Sequence, residues 1–231
     1  LMQSLNEGLK MVVKEFKPDL WQQLEGGTLV HDNPVLLSLL NSVEHESLLG
    51  YLDCKFIVNL SELPLITSDA PVIFYNQLME AAGNYIGATA LVAKGLQIFY
   101  PIHPRLIVCL YDSNIYNLGN GCTNCCSTES VDEIHQLNAL QFISSEAQLF
   151  FDDIISEEYI KELCSQYSEY RKEPRQINTV VKSGSRKFFL TGTKDPNINL
   201  NLDFFKILVD IKDYKNAVRL LRHPSFSRAS R

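Results

Sequence analysis

The hydrophobic residues change their spacing along the chain, and this change limits the folds that the chain can adopt. Before residue 50 they recur at helical spacing, as in the set Leu5, Leu9, Val12 and Phe16. Later they form short runs rich in Ile, Val, Phe and Tyr, which are typical of strands. The runs lie at Lys55–Leu60, Pro64–Thr67, Leu96–Ile102 and Arg105–Tyr111. The sequence therefore predicts an α+β fold, in which N-terminal helices pack on a small mixed or antiparallel sheet formed by these four strands.

Further helices and a hairpin are predicted toward the C-terminus. Turn-forming composition predicts a long surface loop over Asn114–Ser130. Ser130 is predicted to cap one helix and Ser156 a second helix, because each precedes an apolar stripe at helical spacing. Two β-rich runs around Gly184 predict a hairpin, and a final helix is predicted near Tyr214–Arg222.

Charge is divided unequally between the two parts of the chain. The first 160 residues contain six Lys or Arg against 20 Asp or Glu, and the last 71 contain 15 against seven. No acidic residue follows Asp213, and the basic residues after it are Lys215, Arg219, Arg222, Arg228 and Arg231. We predict an acidic core domain at residues 1–172 and a basic C-terminal subdomain or extension at residues 173–231. The basic part is expected either to bind a polyanion such as nucleic acid or to dock on its own chain or a second subunit.

Composition and local sequence exclude several classes of protein. No apolar run reaches the length of about 18 residues that a membrane helix needs, and the first fifteen residues carry charges that a secretory signal lacks. Six cysteines are too few for a disulfide scaffold, so we expect a cytoplasmic protein with no membrane partner. The phosphate-binding glycine motifs are missing, so we expect no nucleotide cofactor. Cys122, Cys125 and Cys126 offer three thiols where a closed zinc site needs four ligands, so we expect no metal.

A polar segment at the end of one predicted strand carries candidate site residues. Thr67, Ser68 and Asp69 directly follow an apolar tripeptide. Asp69 and Ser68 either take part in chemistry or accept backbone N–H groups to hold a turn. His103 ends another predicted strand and is expected to face the same region. A Ser68, His103, Asp69 triad is disfavoured, because adjacent residues of an extended strand point to opposite faces.

Four short motifs occur in a defined order between residues 50 and 152. They are Pro64–Val72, Gln97–Pro104, Ile134–Asn138 and Gln148–Phe151. Together they resemble an uncharacterised, mainly bacterial family known as domain of unknown function 4238, whose pattern includes a Thr-Ser-Asp-x-Pro motif and a helix that carries Asn. His103 stands where that family usually has Ser. The resemblance implies an α+β domain and an intracellular bacterial setting, and it implies no reaction.

These observations predict a polar pocket formed by Thr67, Ser68, Asp69, His103 and Asn138. The leading hypothesis is an intracellular bacterial binding or effector module that engages nucleic acid, with a role in stress or phage defence. One alternative is a hydrolase or nuclease that uses Asp69 with a metal or with His103 as acid or base. A second alternative is a structural subunit of a homo-oligomer.

Overall fold

The computed structural model describes residues 48–83, 88–119, 124–172, 176–183, 186–193 and 198–214. These residues belong to two compact units, of which one contains residues 176–193 and the other contains the remaining described residues. The predicted N-terminal helices and, beyond Tyr214, the predicted final helix lie outside the described residues. The predicted domain border after residue 172 lies close to the division at residue 175, but residues 198–214 belong to the larger unit.

A five-stranded mixed sheet forms the centre of the larger unit. Its strands are β1 (Asp53–Asn59), β3 (Ile73–Tyr75), β4 (Gln97–His103), β5 (Leu106–Tyr111) and β7 (Cys125–Thr128). They lie in the order β3-β4-β5-β1-β7. The first four are antiparallel neighbours, whereas β7 pairs in parallel with β1 and places Cys125 beside Phe56. The α+β class and the mixed sheet are thus confirmed.

Two strands differ from the sequence prediction. The predicted strand Pro64–Thr67 does not enter the main sheet. Instead, a short strand β2 (Thr67–Ser68) pairs with β8 (Leu149–Phe150), which makes a separate two-stranded sheet. The segment predicted as a surface loop contains both β6 (Tyr116–Leu118) and β7. No apolar run marks β7, because only Thr128 of its four residues is buried.

Three α-helices are described, and the two longer ones follow the sheet in the chain. They are α1 (Gln77–Ala81), α2 (Val131–Ser144) and α3 (Glu157–Lys172). Among these elements, β1 comes first and the two longer helices follow the main sheet, whereas the helices predicted before residue 50 lie almost entirely outside the described residues. The predicted caps of the longer helices are confirmed, because Ser130 Oγ accepts from Glu133 N at 3.2 Å and Ser156 Oγ accepts from Tyr159 N at 3.1 Å.

The core lies between one face of the sheet and α2. It contains, among others, Ile57, Phe99 and Ile107 of the sheet with Ile134, Leu137 and Leu140 of α2. A second apolar cluster joins α2 to α3 through Phe142, Leu163 and Tyr167. The apolar stripe of α3 therefore packs in the core, as its helical spacing indicated. Within the described residues, no helix has the length and apolar character that crossing a membrane requires.

The smaller unit contains the predicted hairpin. Its strands are β9 (Gln176–Ser183) and β10 (Arg186–Thr193), which pair antiparallel along their whole length. The hairpin is therefore confirmed at the predicted place.

The chain then returns to the larger unit, where buried side chains hold its backbone. Glu80 of α1 is 7% exposed, and its Oε1 accepts the N–H groups of Ile198 and, at 2.7 Å, Asn199. Tyr75 donates its hydroxyl hydrogen to Glu80 Oε2, and the same hydroxyl accepts from Leu200 N at 3.1 Å. Residues 198–200 are thus fixed by side chains more than one hundred positions earlier in the chain.

Glu133 and Gln136 of α2 hold the next part of this segment. Gln136 Oε1 accepts from Asn201 N at 2.7 Å, and Glu133 Oε1 accepts from Phe204 N at 3.0 Å. These contacts place Leu200, Leu202 and Phe205 in the core and allow β11 (Phe205–Ile207) to pair with β6. A 3₁₀ helix at Ile211–Tyr214 ends the described chain. Residues 198–214 therefore complete the larger unit.

Replacing Glu80 by Gln is expected to lower the free energy of unfolding by about 1–3 kcal/mol. The amide has one acceptor oxygen, so it cannot accept from Tyr75 and the two backbone N–H groups together. Urea denaturation at neutral pH measures the difference. Glu162→Gln, at an exposed position of α3, is the matched control. If both variants lost the same free energy of unfolding, Glu80 would not hold residues 198–199 as described.

The contribution of Glu80 also depends on pH in a defined direction. Burial raises the pKa of Glu80 above its ordinary value of 4.5, although hydrogen bonds from Tyr75, Asn199 and Ile198 act in the opposite sense. The folded state therefore binds this proton more tightly than the unfolded state. The stability of the native protein relative to Glu80→Gln should be greatest below pH 4.5 and should decrease as pH rises through the folded-state pKa. Urea titrations across this range would contradict the argument if the difference increased with pH.

Candidate functional site

Asp69 anchors the loop that joins α2 to β8. Its carboxylate accepts three consecutive backbone N–H groups, from Glu146 at 2.9 Å, Ala147 at 2.8 Å and Gln148 at 3.2 Å. Of the two alternatives for Asp69, these contacts are those of a structural anchor. The anchored loop leads directly into β8, so Asp69 sets the path of the chain toward Phe150.

The same contacts set the ionisation of Asp69. Desolvation acts to raise its pKa, but the backbone N–H groups of Glu146, Ala147, Gln148 and Asp69 itself stabilise the charged form more strongly. The pKa of Asp69 is therefore held below its ordinary value. The carboxylate is thus ionised at neutral pH, as an anchor for three donors requires.

Asn138 and Gln141 of α2 bind the segment that carries β2. Asn138 is fully buried, and its amide accepts from Ile66 N at 2.9 Å and donates to Pro64 O at 3.0 Å and Tyr159 Oη at 3.1 Å. Gln141 Oε1 accepts from Ser68 Oγ at 2.9 Å, and Gln141 Nε2 donates to Pro71 O at 2.9 Å. Ser68 and Asn138 therefore hold the chain in place from inside the protein.

His103 and Thr67 are the two predicted pocket residues that face a common space. They line an open cleft of about 330 Å³. Its lining residues are Leu65, Ile66, Thr67, Pro101, Ile102, His103, Pro104, Phe150, Phe151 and Asp152. His103 Nδ1 accepts from Arg105 N at 3.1 Å, so its other ring nitrogen remains for a ligand. The structure thus brings together two of the five predicted pocket residues, and the other three support the cleft.

The walls of the cleft are mainly apolar, and two aromatic rings are unusually exposed. Phe150 is 51% exposed and Phe151 is 43% exposed. Asp152 supplies a carboxylate at the same edge, where its Oδ1 accepts from Ile154 N at 3.3 Å. No described residue forms a hydrogen bond with its Oδ2. The cleft therefore combines an apolar interior with an available acceptor at its edge.

The backbone of the cleft floor is already hydrogen-bonded. Leu65 N donates to Pro104 O at 3.0 Å, Ile66 N donates to Asn138, and Thr67 pairs with Phe150 in the small sheet. A ligand that reaches Leu65 and Ile66 thus meets side chains, because the N–H groups of both residues already have acceptors within the protein.

Sequence reasoning missed Asp152 as a site residue, and it used Phe150 and Phe151 only as part of a family motif. A signal was present in the sequence, because two consecutive Phe residues stand directly before two Asp residues. The opposite edge of the cleft could not be inferred from this pattern, since Thr67 is more than eighty residues away.

The structure describes two of the three clustered cysteines and none of the basic residues after Tyr214. Cys122 and the basic residues from Lys215 to Arg231 lie outside the described residues. Cys125 and Cys126 are neighbours on β7, and burial raises the pKa of the Cys126 thiol to about 11 although Lys55 acts to lower it. Within the described ranges, no group of three or more His, Cys, Asp or Glu residues is arranged to hold a metal ion.

Comparison with protein families identifies the segment that contains this site. Residues 45–154 match the model of a family described as protein of unknown function (DUF4238). The resemblance drawn from the motifs is therefore confirmed, and the matched segment includes every residue that lines the cleft. No curated protein and no solved structure matches the chain.

Replacing Asp69 by Asn is expected to lower the melting temperature by about 3–10 °C, because the amide has one acceptor oxygen and no charge for three N–H groups. Hydrogen exchange at Glu146, Ala147 and Gln148 should become faster in the variant. Asp153→Asn, at an exposed position five residues after Gln148, is the control. An unchanged melting temperature and unchanged exchange for Asp69→Asn would contradict the anchoring role.

The effect of Asp69→Asn should also decrease in acid. The folded-state pKa of Asp69 is below its ordinary value of 3.8, so its contribution to stability is present above pH 3.8 and is lost as pH falls through the folded-state pKa. Thermal melts of both proteins between neutral and acidic pH measure this convergence.

Proposed function

We propose that the DUF4238 segment of this chain is a binding module, which receives a compact and mainly apolar ligand group in the cleft beside Thr67, His103 and Asp152. The observation that carries this proposal is the cleft itself, an apolar space with exposed Phe rings and a carboxylate oxygen that no described residue engages. Small-molecule and side-chain sites have this character, with apolar walls and a few polar groups that orient the ligand. The polar groups available here are the Thr67 hydroxyl, the His103 ring and the Asp152 carboxylate.

The size and charge of the cleft define the ligand group further. A volume of about 330 Å³ accommodates an aromatic ring system or a branched aliphatic group. Asp152 lines the cleft and is followed in the sequence by three further exposed acidic residues, Asp153, Glu157 and Glu158. A neutral or cationic group is favoured there, and a phosphate or carboxylate group is repelled.

The geometry supports binding better than it supports hydrolysis. Asp69, the predicted catalytic carboxylate, uses both oxygens to accept backbone N–H groups and does not line the cleft. Among the described residues no hydrogen bond joins it to His103. An acid or base must reach the proton that it transfers, and the contacts of Asp69 direct it to the loop instead.

A second proposal concerns the basic end of the chain. The excess of Lys and Arg among the last 71 residues favours contact with a polyanion such as nucleic acid. This function would use Lys215, Arg219, Arg222, Arg228 and Arg231, so it is separate from the acidic cleft.

We also propose a cytoplasmic setting, which agrees with the finding that none of the described cysteines forms a disulfide. A bacterial origin, a role in stress or phage defence, and assembly into a homo-oligomer stay predictions from the sequence.

The cleft proposal predicts selective binding of aromatic cations. In NMR titrations of the labelled protein, tryptamine should bind about tenfold more tightly than indole-3-acetate, and indole should lie between them. Phe151→Ala should weaken tryptamine binding about tenfold, and Asp152→Asn should remove the preference for the cation. Phe74→Ala is the matched control, because Phe74 is 41% exposed on β3 and does not line the cleft. The proposal fails if none of the three probes causes saturable shifts at cleft residues.

The second proposal predicts a steep dependence of nucleic-acid affinity on salt. The logarithm of the binding constant should fall with the logarithm of salt concentration by about 0.9 per duplex phosphate contacted, or about 0.7 for a single strand. Replacing Arg219, Arg222, Arg228 and Arg231 by Ala should flatten this slope. If the native protein shows no binding at low salt, or if the variant loses its oligomeric state instead, the basic end serves protein contacts.

A further inference from the structure

We propose that the natural occupant of the cleft is a segment of a partner protein, which inserts one apolar side chain and places Lys or Arg residues against the acidic edge. This inference rests on the proposed binding function and names the class of ligand. Three features of the described surface support it: its apolar extent, its charge and the hydrogen bonding of its floor.

The apolar surface continues beyond the cleft. Ile102 and Phe150, which line it, are 47% and 51% exposed, and Ile154, which donates its N–H to Asp152, is 71% exposed. A ligand that filled only the cleft would leave these side chains largely in water. Exposed apolar surface around a pocket is typical of protein interfaces, in which an anchor side chain enters the pocket and its neighbours cover the surroundings.

The charge of the edge favours a basic partner. Asp152, Asp153, Glu157 and Glu158 are all exposed and lie within seven positions. Across the described residues one ion pair forms, between Glu157 and Lys161 at 3.3 Å. Asp152, Asp153 and Glu158 therefore have no described cation beside them. Their charges attract Lys or Arg residues that flank an apolar anchor and increase the rate of association.

The floor of the cleft determines how such a segment is recognised. The N–H groups of Leu65 and Ile66 already have acceptors within the protein, and Thr67 pairs with Phe150. At Leu65 and Ile66, recognition therefore comes from side chains, because their N–H groups are not available to a ligand. A single anchor with charged neighbours satisfies this requirement, because each of its contacts is made by a side chain.

The same features make a single-stranded nucleic acid less suitable. Its bases could stack on Phe150 and Phe151, as they do on exposed aromatic residues in other proteins. The linking phosphates would then lie close to the carboxylates at the acidic edge, where their charges repel. A protein segment offers the same apolar contact with charge of the favourable sign.

The test compares capped pentapeptides that differ only in the residues beside a central Trp. The peptides are Gly-Lys-Trp-Lys-Gly, Gly-Ser-Trp-Ser-Gly and Gly-Glu-Trp-Glu-Gly, and NMR titration of the full chain measures each dissociation constant. We expect the Lys peptide to bind about tenfold more tightly than the Ser peptide, and the Glu peptide to bind most weakly. Raising the salt concentration from low to high should reduce these differences.

Variants outside the cleft identify the acidic edge as the source of selectivity. Asp153→Asn with Glu158→Gln should reduce the preference for the Lys peptide severalfold and leave the affinity for the Ser peptide unchanged. The matched control is Glu129→Gln with Asp132→Asn, at two exposed acidic residues near the start of α2. It should change neither the preference for the Lys peptide nor the affinity for the Ser peptide. Melting temperatures establish that both double variants fold.

The remaining outcomes distinguish the partner inference from the proposed binding function. If tryptamine binds in the cleft but the three peptides bind equally or not at all, the partner inference is wrong and the binding function stands. If a ten-nucleotide oligothymidine displaces the Lys peptide from the cleft, the partner is a nucleic acid instead. If neither tryptamine nor any peptide binds, the proposed function itself is wrong.

Discussion

The buried amide of Asn138 fixes the chain between Pro64 and Ile66, and the cleft depends on this contact. The segment leaves the main sheet after β1, so the C=O of Pro64 and the N–H of Ile66 have no strand partner. An unpaired buried backbone group costs about 1–3 kcal/mol, and the amide satisfies one acceptor and one donor together. Gln141 donates to the C=O of Pro71 in the same way, and Asp69 accepts the N–H groups of residues 146–148. Side chains thus supply part of the hydrogen bonding of the cleft floor, together with the backbone contacts of Leu65 and Thr67.

Buried side chains also hold the backbone of the last described segment against the core. Glu80 and Glu133 are buried carboxylates, and each accepts backbone N–H groups of residues 198–204. Their burial is tolerable because hydrogen bonds replace the contacts with water that a buried polar group loses. This arrangement brings Phe205 against the sheet, where it contacts the rings of Phe99 and Tyr111 edge to face. Residues outside the matched family segment therefore complete the unit that carries the cleft.

The proposed functions assign opposite charges to different parts of one chain. The cleft edge at Asp152–Glu158 attracts cations, whereas the basic residues after Asp213 attract anions. The two proposals therefore concern ligands of opposite charge and different residues of the chain. The anchoring contacts of Asp69 are consistent with such a scaffold, because they rigidify the loop that presents Phe150 and Phe151.

The sequence by itself determined the elements whose signals are local. β1, β4, β5, the caps at Ser130 and Ser156, and the hairpin were predictable, because periodicity and capping depend on residues a few positions apart. Of the candidate site it identified Thr67 and His103. Tertiary structure alone decided that β7 joins β1 in parallel, that Asp69 binds N–H groups 77 to 79 positions away, and that Phe151 and Asp152 form the other wall of the cleft. The physical reason is that each of these contacts satisfies a polar group or buries a side chain across a long stretch of chain, and no local pattern records which distant partner does so.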